Sequence, residues 1–347
     1  LKRNLQSLEI RVLIDELKEK LANAYFEKIY KTRDGYVLAL SRHGKKLIKI
    51  LPGVAFFEIP ELVEETTQTS FTQRIRKLLE RQKLVDLQTY KSERILIMVF
   101  ENYKLILEFF NPGVIVSTDK DYNIIVSNLV KNFGWRTIKP GEKYLFRESL
   151  DPFDYNDFIK IKQSNKKDLV RALAIDLGLG RVYSNELLLR TDIENKKPSE
   201  LSDEELNLLY KTFRELISQK KPNIVDNYED AVPFDLLYYK DKQKTYFSTY
   251  NETLREYYSK VKIESEENLV LKRKLESIER NIEEIKQKME EYKTKADLIM
   301  TNLAFLEDLR NKILESAKLY GWEKTKQYLA KKGIEINEKE NYFIIDL

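Results

Sequence analysis

From Leu271 to Leu306 the apolar residues recur at spacings of 4, 3, 4, 3 without a miss: Leu271, Leu275, Ile278, Ile282, Ile285, Met289, Tyr292, Ala296, Ile299, Leu303 and Leu306. No other feature restricts the fold as much. Such a heptad seam predicts one helix of roughly 50 Å or more, at ~1.5 Å per residue, built for a coiled coil. An apolar stripe of that length cannot hide itself in water, so it needs a partner helix. No second stripe of matching length occurs among the 347 residues. The expected partner is therefore a returning helix in a C-terminal part that this chain lacks, in preference to a second copy. Between 264 and 297 ten acids face eight cations, so the predicted arm is solvated and not basic.

Composition removes several classes of chemistry. There is no cysteine, which excludes disulfides, thiolate zinc sites, iron–sulfur clusters and cysteine nucleophiles. The one histidine, His43, lies in an Arg42-His43-Gly44 turn signal and reads as an exposed turn residue; a single imidazole removes most metal-hydrolase and Ser-His-Asp schemes. No metal site, cofactor or catalytic residue is expected. Sixty-one Lys and Arg against 57 Asp and Glu leave a net charge of +4, so affinity for nucleic acid must come from the arrangement of charge. No run of about 18 apolar residues exists and the opening segment LKRNLQSLEIRVL lacks a signal-peptide core, which predicts a cytoplasmic protein without membrane contact.

The rest of the chain divides by periodicity. Leu8, Val12, Leu13, Leu17 and Leu21 form one stripe of an amphipathic helix. Short alternating runs at 25–31, 36–41, 46–51 and 54–59 follow, separated by Asp34-Gly35, His43-Gly44 and Pro52-Gly53, and read as an antiparallel meander. A helical pattern over 70–83 precedes a second group of strands at 94–100, 104–110, 113–117 and 123–129. Helix, meander, helix, meander predicts an α+β domain with two antiparallel sheets over 1–150. A helical domain over 151–222 contains two segments broken at Gly178-Leu179-Gly180, and a capped helix start at Ser202. Residues 223–262 read as a hairpin, placed at 234–250, and a connector; 263–315 as the coiled-coil arm; 316–347 as its tip.

Three patterns could carry binding chemistry. Gly178 and Gly180, followed by Arg181, could bring backbone N–H groups close to a phosphate or could form an ordinary helix–helix turn. Arg74, Arg76, Lys77 and Arg81, with Lys83, make the 70–83 helix a phosphate-tracking surface or a solvated face. Glu93 and Arg94 stand at the start of a strand, where adjacent side chains point to opposite faces and do not satisfy each other. They are either two surface charges or a polar clamp in which Arg94 meets a phosphate or base and Glu93 accepts from a base amine or 2′-OH. Glu9 beside the first apolar stripe reads as a helix N-terminal charge. Phe133 and Trp135 could stack on bases or lie buried at a strand end.

These landmarks occur in an order that resembles the NFACT family of RqcH- and NEMF-type proteins. SLEIRVLIDELKEKL is similar to the family's opening helix, and FTQRIRKLLERQKLVDLQTYKSERILIMVF to its next conserved segment. Glu108, Gly113 and Asp119 match a strand-pair signature, and Phe133, Arg136, Pro140, Gly141 and Tyr144 a closing element. Residues 165–192 resemble the family's helix-hairpin-helix domain, YFSTYNETLREYYS its next stretch, and YKTKADLIMTNL followed by Trp322 its coiled-coil region.

The resemblance implies an NFACT-N fold similar to the N-terminal domain of formamidopyrimidine-type DNA glycosylases, followed by the helix-hairpin-helix domain and a long arm with a small tip. It implies a non-enzymatic ribosome-associated quality control factor. The partners would be the large ribosomal subunit retaining peptidyl-tRNA and an incoming charged tRNA, alanyl in type, used for template-free C-terminal tailing. Glu9, Glu93 and Arg94 take the places of the family's tRNA-contacting acid and Asp-Arg pair; both acids are Glu here, and the extra methylene moves each carboxylate. A base-excision glycosylase, a fibronectin-binding surface adhesin and a purely structural coiled-coil tether are the rival readings.

Overall fold

A computed structural model of the chain describes residues 4–261, 266–337 and 342–345. Two compact units divide it, residues 1–263 and 264–347.

The first unit is organised around helix α1 (Ser7–Leu21), whose Leu8, Ile10, Val12, Leu13, Ile14, Leu17 and Leu21 are all buried. The predicted single stripe is thus wider in the structure, because α1 is packed by β5, β6, β13 and α7 together. Strands β1 (Tyr25–Lys31), β2 (Tyr36–Ser41), β3 (Lys45–Leu51) and β4 (Ala55–Ile59) follow as an antiparallel meander in sequential order. The pleat sorts their side chains. Leu38 and Leu40 face the main core, while Val37 and Ala39 face a small outer cluster with Leu47.

Helix α2 (Ser70–Leu79) bridges to the second sheet. Thr69 caps it by accepting from the Thr72 amide at 3.2 Å. The helix ends at Leu79 and not at 83, since Arg81 takes a left-handed conformation (φ 59°). The chain then enters β5 (Leu84–Gln88), a strand absent from the sequence reading, and continues through β6 (Ile95–Phe100), β7 (Lys104–Glu108), β8 (Ile115–Thr118) and β9 (Ile124–Ser127). These five form a second antiparallel meander. The sheets share the main core, where Phe56 stacks on Phe109 with ring centroids 5.2 Å apart. The far face of the second sheet is covered by the two-residue strands β10 (Lys131–Asn132) and β11 (Thr137–Ile138) and by Tyr144. Gly113 (φ 74°) lets the β7–β8 connection touch the Pro52-Gly53 turn; a Cβ there would lie 2.5 Å from the Gly53 amide nitrogen.

A helical module follows: α3 (Tyr155–Phe158), α4 (Leu169–Ile175), α5 (Gly180–Thr191) and α6 (Asp203–Ser218). As the sequence indicates, Ser202 caps α6, accepting from Glu205 N at 3.1 Å while the Glu205 carboxylate accepts from Ser202 N at 2.8 Å. The next region corrects the sequence reading. Instead of a hairpin over 234–250, β12 (Lys220–Val225) pairs with both β13 (Asp230–Phe234) and β14 (Lys244–Tyr246), and α7 (Tyr250–Lys260) begins at once. Glu16 of α1 caps α7 through the amides of Tyr250 and Asn251, and Asn251 grips the β4 edge by accepting from Glu58 N at 2.6 Å.

The second unit holds α8 (Glu266–Thr301), α9 (Leu303–Tyr320), α10 (Trp322–Ala330) and a hairpin of β15 (Glu335–Asn337) and β16 (Tyr342–Ile344). Its 36-residue α8 spans about 54 Å at ~1.5 Å per residue. The seam expected to run unbroken to Leu306 is interrupted at Asn302, which leaves helical geometry (φ −100°, ψ 11°). The side chains of Thr301 and Asn302 both bond back to carbonyls four residues earlier, a pattern that bends helices. Ile278, Ile282, Ile285, Met289 and Tyr292 are 47–66% exposed, and the side chain of Leu271 lies outside the described residues. Ile313, Leu329 and Ile334 make a small separate core.

Candidate nucleic-acid interface

The rim of the second sheet meets the helical module along a cleft of about 1110 Å³. The Lys91–Arg94 loop before β6 forms one wall, the β10–β11 hairpin with Phe133 and Trp135 another, and the α4–α5 turn at Gly178 a third. Glu93 and Arg94, paired in the sequence reading, both line it and are half-buried.

Arg94 is held in place. Its Nη1 donates to Asn4 Oδ1 at 2.8 Å, and its guanidinium carbon lies 5.7 Å from the Phe110 ring centroid. Burial pulls its pKa below the ordinary value, against the opposing effect of Glu93 and Glu9. Burial also pushes the Glu93 carboxyl above the ordinary carboxylate range, opposed by Arg147, Arg94 and Arg136. One carboxylate thus faces three guanidinium groups across a partly dry floor. Trp135 is 45% exposed, with the guanidinium carbons of Arg136 and Arg147 at 4.6 Å and 5.9 Å from its ring. An indole offered this way can stack on an unpaired base while Arg147 meets its phosphate.

Arg136 itself is not free to move. It is buried against Glu108 (2.6 Å), and the Tyr144 hydroxyl donates to the same carboxylate at 2.6 Å. The signature residues Glu108, Arg136 and Tyr144 therefore lock the hairpin that carries Trp135 onto the sheet.

Glu9 stands behind the cleft. It is 1% exposed, and its carboxylate accepts from Gln6 N at 2.9 Å and from the Tyr183 hydroxyl at 2.6 Å. It lines a separate cavity of about 340 Å³ with Gly180 and Arg181. Gln6 reaches both cavities, and its Nε2 donates to Asn4 Oδ1 at 3.4 Å, the atom that also receives Arg94. Glu9 thereby anchors the segment that positions Arg94. The two glycines face protein. A Cβ on Gly178 would lie 2.7 Å from the Ser92 Cβ and carbonyl oxygen, and one on Gly180 would lie 2.7 Å from Gln6 Oε1. Gly178 thus seats the helical module against the Ser92-Glu93-Arg94 loop and Gly180 seats it against Gln6, while Arg181 remains exposed.

The five cations of the 70–83 segment, Lys83 included, line none of these cavities. Arg76 Nε donates to the Ile29 carbonyl at 2.9 Å and Arg74 Nη2 to the Ile125 carbonyl at 3.3 Å, so these two stitch α2 to β1 and β9. Lys77 and Arg81 are exposed. Sequence reasoning missed Asn4, Lys91, Arg147 and Lys160 in the site; Lys91, two residues before Glu93, and Arg147, three residues after Tyr144, had a nearby signal. Among the described residues no group of His, Cys, Asp and Glu is placed to hold a metal ion, and no helix is long and apolar enough to cross a membrane.

Fold and cleft together define an α+β protein whose two antiparallel sheets dock a helical module over a mixed-charge groove flanked by an exposed indole. The chain belongs to the NFACT family: the family's N-terminal and middle domains match residues 7–326. It is 28% identical over 373 residues to the archaeal Rqc2 homolog aRqcH of Methanocaldococcus jannaschii, an alignment covering 95% of this chain and 54% of that protein. The chain thus spans about half the length of this curated relative. Two solved structures share the fold. The N-terminal part of the fibronectin/fibrinogen-binding protein of Streptococcus suis superimposes with a TM-score of 0.60 at 19% identity, covering 74% of this chain and all of that one. The fibrinogen-binding protein of Staphylococcus aureus gives 0.58 at 15% identity, covering 73% and 98%.

Proposed function

We propose that the protein is a cytoplasmic ribosome-associated quality control factor without hydrolytic activity. It binds a large ribosomal subunit that retains peptidyl-tRNA and recruits a charged, alanyl-type tRNA for template-free tailing. One observation carries this reading: Glu93 and Arg94, at the positions where the family has its Asp-Arg pair, line a cleft beside an exposed indole. Unpaired tRNA bases fit such a site by stacking on Trp135 and bonding to the Glu93–Arg94 pair, with the phosphates drawn to Lys91, Arg147 and Lys160. In this reading α4, the Gly178–Gly180 turn and α5 act as a helix-hairpin-helix module, and the exposed stripe of α8 is one side of a coiled coil that extends along the subunit.

Binding of the purified chain to tRNA and to large subunits tests the proposal. Glu93→Ala combined with Arg94→Ala should weaken tRNA binding about tenfold, ~1.4 kcal/mol, while circular dichroism stays unchanged. Equal tRNA affinity for the double variant and the parent at low and moderate salt would remove the pair from the interface. Indifference of the parent chain to both tRNA and subunits would remove the function.

A further inference from the structure

A third cavity, of about 470 Å³, lies in the module formed by α5, α6 and the β12–β14 sheet. It shares no lining residue with the Glu93–Arg94 cleft or with the Glu9 cavity. Five cations line it, Arg190, Lys221, Lys240, Lys242 and Lys244, against a single carboxylate, Asp235. Such an imbalance is not a property of the whole chain, whose net charge is only +4.

Three of these cations are neutralised within the protein. Arg190 pairs with Glu186 at 2.5 Å, Lys244 with Asp235 at 2.6 Å, and Lys242 with Glu229. Lys221 and Lys240 are exposed and have no ion pair among the described residues. Neither ammonium group is therefore locked in a salt bridge on this pocket, although the Lys221 charge acts on Asp235.

The pocket is also built to hold its shape. Glu186 is fully buried, and its carboxylate accepts from the Leu237 amide at 3.0 Å and the Tyr238 amide at 2.8 Å. Arg190 Nη2 donates to the Asp235 carbonyl at 2.8 Å, and Lys244 Nζ to the Leu236 carbonyl at 2.8 Å. These bonds fix the turn that presents Lys240. Tyr246, 53% exposed, is hydrogen-bonded to Asp235, which leaves its ring as an aromatic face at the mouth.

We propose that this pocket is a nucleoside-phosphate site. The phosphate sits between Lys221 and Lys240 with Arg190 behind, and the base lies on Tyr246. The chemistry is that of a single nucleotide unit, supplied by a free mononucleotide or by an RNA strand whose backbone crosses the pocket. The inference does not rest on ribosome binding, because it concerns residues outside the cleft.

The test uses the full chain with two probes, adenosine monophosphate and a fluorescein-labelled single-stranded RNA ten-mer. Each is titrated at four salt concentrations against the parent, Lys221→Gln/Lys240→Gln, Lys221→Arg/Lys240→Arg and Tyr246→Ala. The Gln pair should bind at least one probe about tenfold more weakly, and the RNA salt slope should fall by about 0.7, the value for one neutralised phosphate on a single strand. The Arg pair should restore binding, and Tyr246→Ala should weaken it several-fold without changing the slope. Loss confined to RNA identifies a backbone contact; loss of mononucleotide binding as well identifies a free nucleotide as the ligand. Unchanged affinity and slope in the Gln pair, or no binding of either probe by the parent, overturns the proposal. Glu93→Ala/Arg94→Ala, run in parallel, separates this result from failure of the cleft.

Discussion

Glu93 sits in a cleft that is partly dry, and its protonation is linked to folding. Burial raises its folded pKa above the ordinary value, the guanidinium groups around it notwithstanding. Folding therefore favours the protonated form. The stabilising contribution is fully present below the unfolded carboxylate pKa and is lost as pH rises through the folded one. Glu93→Gln, which keeps the shape and removes the titration, should raise the melting temperature at pH 7.5 and leave it unchanged near pH 3.5. Thermal melts of both proteins across that window check it, and a parallel shift at both pH values would show that the effect is not protonation. Glu9 differs, although the sequence presents the two acids alike. Its carboxylate meets Gln6 N, Tyr183 and also Tyr250, and only the first, three residues away, could be read from helix capping. A sequence shows that an acid opens a helix; it does not show which distant tyrosine will cover it.

At the level of elements, the meanders and most helices were legible because alternation and capping are local. Several strands were not, β5 and β12 among them. β5 follows α2 with only a short turn, and its register shift between Leu84 and Asp86 breaks the alternation that marks a strand. β12 contains Pro222, which reads as a linker, but a register shift between Lys220 and Asn223 takes the proline out of its ladder with β13. The Gly178-Leu179-Gly180 turn was legible as a turn, but not as a docking surface, because what fills the missing Cβ positions belongs to Gln6 at the cap of α1 and to the loop before β6. This yields a contrast between two glycines. Gly178→Ala would place a Cβ 2.7 Å from the Ser92 backbone oxygen at φ 61°, so loop or turn must move. It should cost about 1–3 kcal/mol as an overpacked contact. Gly180→Ala meets only the end of the Gln6 side chain, so it should cost less, mainly through its φ of 75°. Urea unfolding measures both, and limited proteolysis near Ser92 should accelerate in Gly178→Ala alone. Equal costs would mean that backbone conformation, and not the approach to Ser92, requires glycine at 178.

For the molecule as a whole, a net charge of +4 on 347 residues gives little general attraction for RNA. Any RNA binding would be concentrated where the fold leaves cations outside salt bridges and aromatic rings exposed, and the first unit does this twice. Trp135 stands with Arg147 at the cleft, and Tyr246 with Lys221 and Lys240 at the β12–β14 pocket. The two sites share no residue, and energies of independent sites add to within ~0.5 kcal/mol. If one tRNA touches both, Glu93→Ala/Arg94→Ala and Lys221→Gln/Lys240→Gln should each weaken tRNA about tenfold and together about a hundredfold, ~2.7 kcal/mol. If the pocket instead serves a separate nucleotide, the pocket pair leaves tRNA affinity unchanged and the combined variant behaves like the cleft pair alone. A loss well short of the product, with each pair effective by itself, would mean that the two sites are coupled. Filter binding of one labelled tRNA to the parent and the three variants at a fixed salt concentration decides among these outcomes. The same four proteins titrated with adenosine monophosphate show whether the pocket acts alone.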